Sequence, residues 1–317
     1  MSTVKRGEVP TLFESPSHCC GCGACAAGCP KSAITMSEGK DGFVLPAIDS
    51  DLCIGCGACT RACGLNRGIG SNSAGPFFAA AGRDDVSESA SGGVFGSVAR
   101  EHISSGGVVY GAAYEREGNT LRVLHRRAVS VDELRPLLNS KYVQSDAGAC
   151  FADVKADLRD GRRVLFCGTP CQVAGLGVSS GAIMRALQLL TWSVTVSLPA
   201  ACSRTALRAM ANSLGLPWLI SGLGASARGG VTLSFFFFFL RTEERSPFLR
   251  RNPPYYDMFL NLKTLRDSCY RCPYAGRFRA GDLTIGDFLG RRCKQARRPE
   301  GCREVQSNEG RFLPAGE

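Results

Sequence analysis

Nine cysteines crowd the stretch from Cys19 to Cys63. Cys19, Cys22, Cys25 and Cys29 follow C-x2-C-x2-C-x3-C, with Pro30 next. Cys53, Cys56, Cys59 and Cys63 repeat the spacing, with Gly64 in the proline position. Three cysteines at this spacing wrap a tight loop, so their sulfurs converge on one cube of iron and sulfide. The fourth lies too far round the turn and ligates the other cluster. The spacing thus assigns Cys19, Cys22, Cys25 and Cys63 to one 4Fe-4S cluster, and Cys53, Cys56, Cys59 and Cys29 to a second. Interleaved glycines let backbone N–H groups approach the sulfides. Zinc would favour two separated C-x2-C pairs. Cys20 is left over and is read as a packed bystander.

The elements that carry these loops are short. The repeats "CCGCGACAAGCPKSAITM" and "CIGCGACTRACGLNRGIG" flank "GFVLPAIDSDL", which reads as strand and turn. Residues 15–66 resemble bacterial two-cluster ferredoxins. A linker, "GIGSNSAGP", follows, so residues 1–75 form a ferredoxin-like α+β dicluster module with its linker.

Strands and helices alternate from about residue 77. "FFAAAG", "VVYGAAYE", "LRVLHRRAV" and "RRVLFCGTP" read as strands. "SESASGGVFGSVAREHISSGG" and "CFADVKADLRDG" read as helices, and Ser130 with Glu133 forms a capping box. The pattern predicts an α/β domain over 76–290. Ser89, Ser91, Gly92 and Gly93 stand where a helix begins, which suits a phosphate; an ordinary Ser N-cap reads the same way. Lys141 and Tyr142 could pair with a phosphate and stack on a ring; alone they would be a surface lysine and a core tyrosine. Gly168 and Thr169 follow a buried strand, at the edge where α/β sheets bind ligands. Asp287 ends a strand. Cys171 after Thr-Pro, with the distant pair Cys269 and Cys272, points to a third cluster.

Five stretches, "SASGGVFGSVA", "GGVVYGAAY", "SKYVQSD", "VLFCGTPCQVAGL" and "SCYRCPYAGRFRAGDLTIGDFLG", together resemble the coenzyme F420 hydrogenase/dehydrogenase beta subunit family. The resemblance covers about 77–176 and 241–290. It implies FAD, a cluster in the catalytic domain, and hydride exchange with a deazaflavin or related acceptor. It also implies a fourth ligand for the third cluster from a stretch like D-L-V-C-H-G-V-P. This chain has "TWSVTVSLP" there instead.

Residues 177–234 contain no Asp, Glu or Lys, against about 25% charged residues in ordinary domains. With one choice of codons, Thr191–Pro199 shifted by one base reads Leu-Val-Cys-His-Gly-Val-Pro. We read residues 177–234 and the tail 291–317 as out of frame, with the frame restored near the run Phe235–Phe239. These two segments carry seven of the ten net positive charges, so the basic balance does not indicate nucleic acid. Cys202, Cys293 and Cys302 are accordingly not read as ligands. His18, His102 and His125 form no constellation and are read as surface or packing residues. "ALQLLTWSVTVSLPAAC" is too short and polar to span a membrane, and Pro199 interrupts it. The amino end has no apolar run of signal length, so a cytoplasmic location is expected. The reading is an iron–sulfur flavoprotein oxidoreductase served by a redox partner and a small hydride acceptor. The rivals are an electron carrier without hydride chemistry, a membrane-associated subunit anchored by 183–202, and an inactive frameshifted copy. No catalytic residue is assigned.

Overall fold

The computed structural model describes residues 7–39, 41–67, 78–79, 93–117, 120–139, 141, 143–180, 187–192, 262–263, 265–275, 280–285 and 313–314. Ser89, Ser91, Gly92, Tyr142 and Asp287 lie outside the described residues, as do Cys202, Cys293, Cys302 and the phenylalanine run.

The cysteine repeat folds into a small two-fold unit. A 3-10 turn (Pro16–His18), capped by Ser15, leads to the first loop and then α1 (Ala24–Ala27). The strands β1 (Ile34–Glu38) and β2 (Val44–Ile48) pair antiparallel, with Ile34 opposite Ile48. The second loop leads to α2 (Ala58–Ala62) and α3 (Gly64–Arg67). These elements are too short to be stable alone. They stand because they pack on one another and on the rest of the chain.

Beyond β3 (Phe78–Ala79), α4 (Val94–Ser104) leads into β4 (Val108–Glu117) and β5 (Thr120–Ala128). Then come α5 (Val131–Leu134), α6 (Phe151–Arg159), β6 (Val164–Gly168) and α7 (Pro170–Ser180). The last elements are β7 (Leu187–Trp192), α8 (Asp267–Tyr270), β8 (Leu283–Ile285) and β9 (Leu313–Pro314). β9 pairs with β3. The main sheet has five strands in the order β5-β4-β6-β7-β8. β5 is antiparallel to β4, and the other neighbours are parallel. β7 falls within the span read as out of frame, yet it is hydrogen-bonded on both sides.

Strand alternation sorts the core into two layers. Tyr110, Val164 and Phe166 join Phe151 and Val154 of α6 and Val173 and Leu176 of α7. Val109, Leu165 and Cys167 pack instead with Phe95 and Ala99 of α4 and Leu134 of α5. β6 is buried at every position, as expected of a parallel strand covered on both faces. Asp157 of α6 ties the first layer together. It accepts from Tyr110 Oη at 2.7 Å and from Arg127 Nε at 2.8 Å. Burial alone would raise its carboxyl pKa, but these donors and Arg162 hold it below the ordinary value.

The dicluster unit shares this core. Ala24 of α1 is fully buried in the layer that holds Phe151 and Leu176. A Cβ on Gly23 would lie 2.6 Å from Gly148 Cα, so the two backbones touch. The boundary near residue 75 therefore divides the sequence but not the apolar interior.

Candidate metal centre

Each cysteine loop enters its helix through glycine. Gly21 and Gly23 sit at φ 63° and 79°, and their repeats Gly55 and Gly57 at φ 60° and 65°. Other residues resist this left-handed region. It turns the chain sharply enough to face alternate cysteines inward.

The thiols of Cys19, Cys22, Cys25 and Cys63 lie within electrostatic reach of one another. Cys63, which ends α2, reaches across to the first loop. Cys59 lies within reach of Cys29 and Cys53. Cys29, Cys53, Cys56 and Cys59 all line one small, partly open cavity, with Pro10, Ile34, Ile48 and Ile54 around them. The quartets brought together are thus the crossed sets of the repeat.

Burial pushes the Cys19 thiol up to about 11 and the Cys25 thiol up to about 12. Such thiols ionise readily only when a metal replaces the proton. Gly21 N donates to Cys19 Sγ at 3.4 Å, and Ala33 N to Cys29 Sγ at 3.3 Å. Hydrogen bonds to sulfur are among the features that set cluster potentials. Among the described residues, no three side chains converge on a position for a single metal ion. A cubane is larger than an ion and takes its thiolates further apart. The soft, crossed, N–H-supported donor sets fit two 4Fe-4S clusters.

A second gathering of sulfur lies beside the first. Cys171 opens α7, and its Sγ is 3.2 Å from Thr169 Oγ1. Cys269 lies within electrostatic reach of Cys171 and Cys272. Cys20 lies within electrostatic reach of both Cys171 and Cys22. Donation from Cys20 holds the Cys171 thiol below its ordinary range. Burial pushes Cys269 up to about 12.

Arg266 clamps the two gatherings together. It is 2% exposed. Its guanidinium donates to Cys19 O at 3.4 Å, to Val44 O at 3.0 Å and to Gln144 Oε1 at 2.8 Å. It also stacks on Phe43, 4.8 Å from the ring centre. Gln144 in turn donates to Cys20 O at 2.9 Å. A Cβ on Gly21 would come within 2.7 Å of Arg266 Nη2, so glycine makes room for the clamp. Arg266 caps α8, and Cys269 N donates to its carbonyl at 2.8 Å. The same residue therefore grips the amino-terminal module and places the C-x2-C pair. Sequence reasoning missed Arg266 and Gln144, because nothing local marks either.

The residues expected to hold a flavin are only partly described. Gly93 is the N-cap of α4, at φ 72°. Gly168 and Thr169 sit at the carboxyl end of β6, and Thr169 N donates to Gln172 Oε1 at 2.9 Å. Lys141 Nζ donates to three carbonyls, of Pro136 at 2.9 Å, Leu138 at 2.5 Å and Asn139 at 3.0 Å. Burial lowers its pKa to about 7. Nearby, His125 donates from Nε2 to Cys167 O at 2.9 Å and stacks on Phe166. Burial lowers its pKa to about 4.

A family model described as a 4Fe-4S dicluster domain matches residues 18–66. The amino-terminal module is an iron–sulfur electron-transfer domain. No curated protein sequence matches the chain. Among solved structures, one match is a chain of the F420-reducing NiFe hydrogenase complex from Methanosarcina barkeri, determined in a xenon derivatization. It is 10% identical, with a TM-score of 0.33, over 46% of this chain and 48% of that one. The chain thus spans about half the length of that match. Among the described residues, no helix is long and apolar enough to cross a membrane.

Proposed function

We propose that this chain is an iron–sulfur flavoprotein oxidoreductase. The two amino-terminal clusters and a third on the α/β domain would supply one-electron carriers between a redox partner protein and FAD, and FAD would supply hydride exchange with a deazaflavin-like or other acceptor. The observation that carries the relay is the gathering of Cys29, Cys53, Cys56 and Cys59 around one cavity, with the complementary quartet beside it. Clusters move single electrons and a hydride carries two, so a bound flavin supplies the conversion.

The chain's own residues then have distinct roles. The eight cysteines of the repeat hold the two amino-terminal clusters. Cys171, Cys269 and Cys272 hold the third. Arg266 keeps positive charge near thiolates of both gatherings, which favours added electrons there. Gly93 at the start of α4, and Gly168 and Thr169 at the carboxyl end of β6, would lie beside the flavin, with the Thr169 N–H already held by Gln172. Support for FAD comes from the sequence resemblance and from a largely parallel sheet whose carboxyl edge carries Gly168 and Thr169.

A second reading is an electron carrier whose α/β domain only docks a partner. The engagement of Lys141 with three carbonyls favours it, since that amine is not waiting for a phosphate. Flavin analysis of anaerobically purified protein separates the two. About one FAD per chain is expected. Brown protein with no flavin would replace the oxidoreductase with the carrier, and colourless protein, silent by EPR after dithionite, would end both.

A further inference from the structure

The third set, as read from the sequence, is one ligand short. We propose that Cys20 is its fourth ligand, completing a site with Cys171, Cys269 and Cys272. The proposal rests on the third-cluster reading above.

Four observations carry it. First, the Cys20 thiol lies within electrostatic reach of Cys171, 151 positions further along the chain, and Tyr274 lies within reach of both. Second, the backbone aims it there. Gln144 fixes the Cys20 carbonyl, and Gly21 turns the chain immediately after it. Third, Cys20 stands outside the spacing that fills the two amino-terminal clusters, so its sulfur is not needed by them. Fourth, Arg266 Nε is buried near this sulfur-rich region and has no partner among the described residues. A cluster sulfide or cysteine sulfur would satisfy it, and an orphaned buried donor is otherwise costly.

Tyr274 closes the site. It is 2% exposed and lies within electrostatic reach of Cys20 and Cys171. A Cβ on Gly64 would fall 3.1 Å from its hydroxyl. This ring wedges the site against the amino-terminal module. The ligand set is therefore shared: one cysteine from the module, one from α7 and two from α8 and its exit. Cys20 and Cys22, separated by one residue, would serve different clusters, which places two carriers side by side.

The test is iron and sulfide content with EPR, on full-length chain purified anaerobically. Wild type is expected to hold about twelve iron atoms per chain. Cys20→Ala should fall to about eleven, with a 3Fe-type signal in the oxidised sample, or to about eight. Cys20→Ser, closer in size, should keep the fold and shift the third cluster's EPR signal. Cys150→Ala is the control, because that buried thiol donates to Ala147 O and belongs to no set. It should retain about twelve. Twelve iron atoms in Cys20→Ala, or an unshifted signal in Cys20→Ser, would overturn the Cys20 assignment and leave the third cluster standing. About eight in wild type, or a Cys20–Cys171 disulfide by mass spectrometry, would overturn both.

Discussion

Two regions of this molecule collect sulfur by opposite means. The repeat at 19–63 places its ligands by local spacing, with left-handed glycines turning each loop inward. The neighbouring gathering draws on residues 20, 171, 269 and 272, brought together only by packing. The first is written into a few dozen consecutive residues. The second exists only once α7 and α8 have docked. A locally encoded site should survive damage to the surrounding fold better than an assembled one.

Arg266→Ala should break the comparison open most widely. It removes three charge-assisted hydrogen bonds and leaves three acceptors unserved, at a cost of about 3–5 kcal/mol. The urea midpoint should fall accordingly. The iron proposed for the assembled site should be lost while the repeat keeps about eight atoms. Loss of all iron together would show that the repeat depends on the clamp as well.

Acid should separate the regions next. The folded pKa of His125 is about 4, below its ordinary 6.5. The unfolded chain therefore binds more protons between these values. The stability linked to His125 is complete above pH 6.5 and is lost as pH falls to 4, by about 3 kcal/mol. Tryptophan or circular-dichroism melts at stepped pH should show the slope, and His125→Gln should flatten it. An equal slope in that variant would assign it to other groups.

The smallest effect sharpens the boundary between the regions. Gly23 and Gly161 both have positive φ, at 79° and 76°. A Cβ on Gly23 would meet Gly148 Cα at 2.6 Å, while one on Gly161 would meet nothing within 4 Å. Gly161→Ala should cost about 1 kcal/mol from backbone strain alone, and Gly23→Ala about 2–3 kcal/mol. Equal costs, measured by denaturant melts, would mean that the backbone contact at Gly148 yields easily.

Legibility in the sequence follows the same division. The cysteine spacing, the apolar run of β6 and the helix over 94–104 depend on near neighbours, and each could be read directly. The cap at Ser130 was legible too: Glu133 N donates to its hydroxyl at 3.3 Å. Yet the Glu133 carboxylate accepts from Val129 N, one residue earlier than a capping box places it. Cys20 was read as a bystander because its neighbour Cys171 is supplied by a distant helix. The strand order was equally hidden, since β8 reaches β7 only after a long excursion of chain. His125 carries no local sign of burial; β6 and Phe166 create its surroundings.

The reach of Arg266 has a consequence for biosynthesis. It grips carbonyls 247 and 222 residues upstream. A ribosome delivers the amino-terminal cysteines long before that arginine leaves the exit tunnel. For most of translation the nascent iron-binding loops are without the latch that seats them, and the interval favours loading by cellular assembly factors before the door shuts.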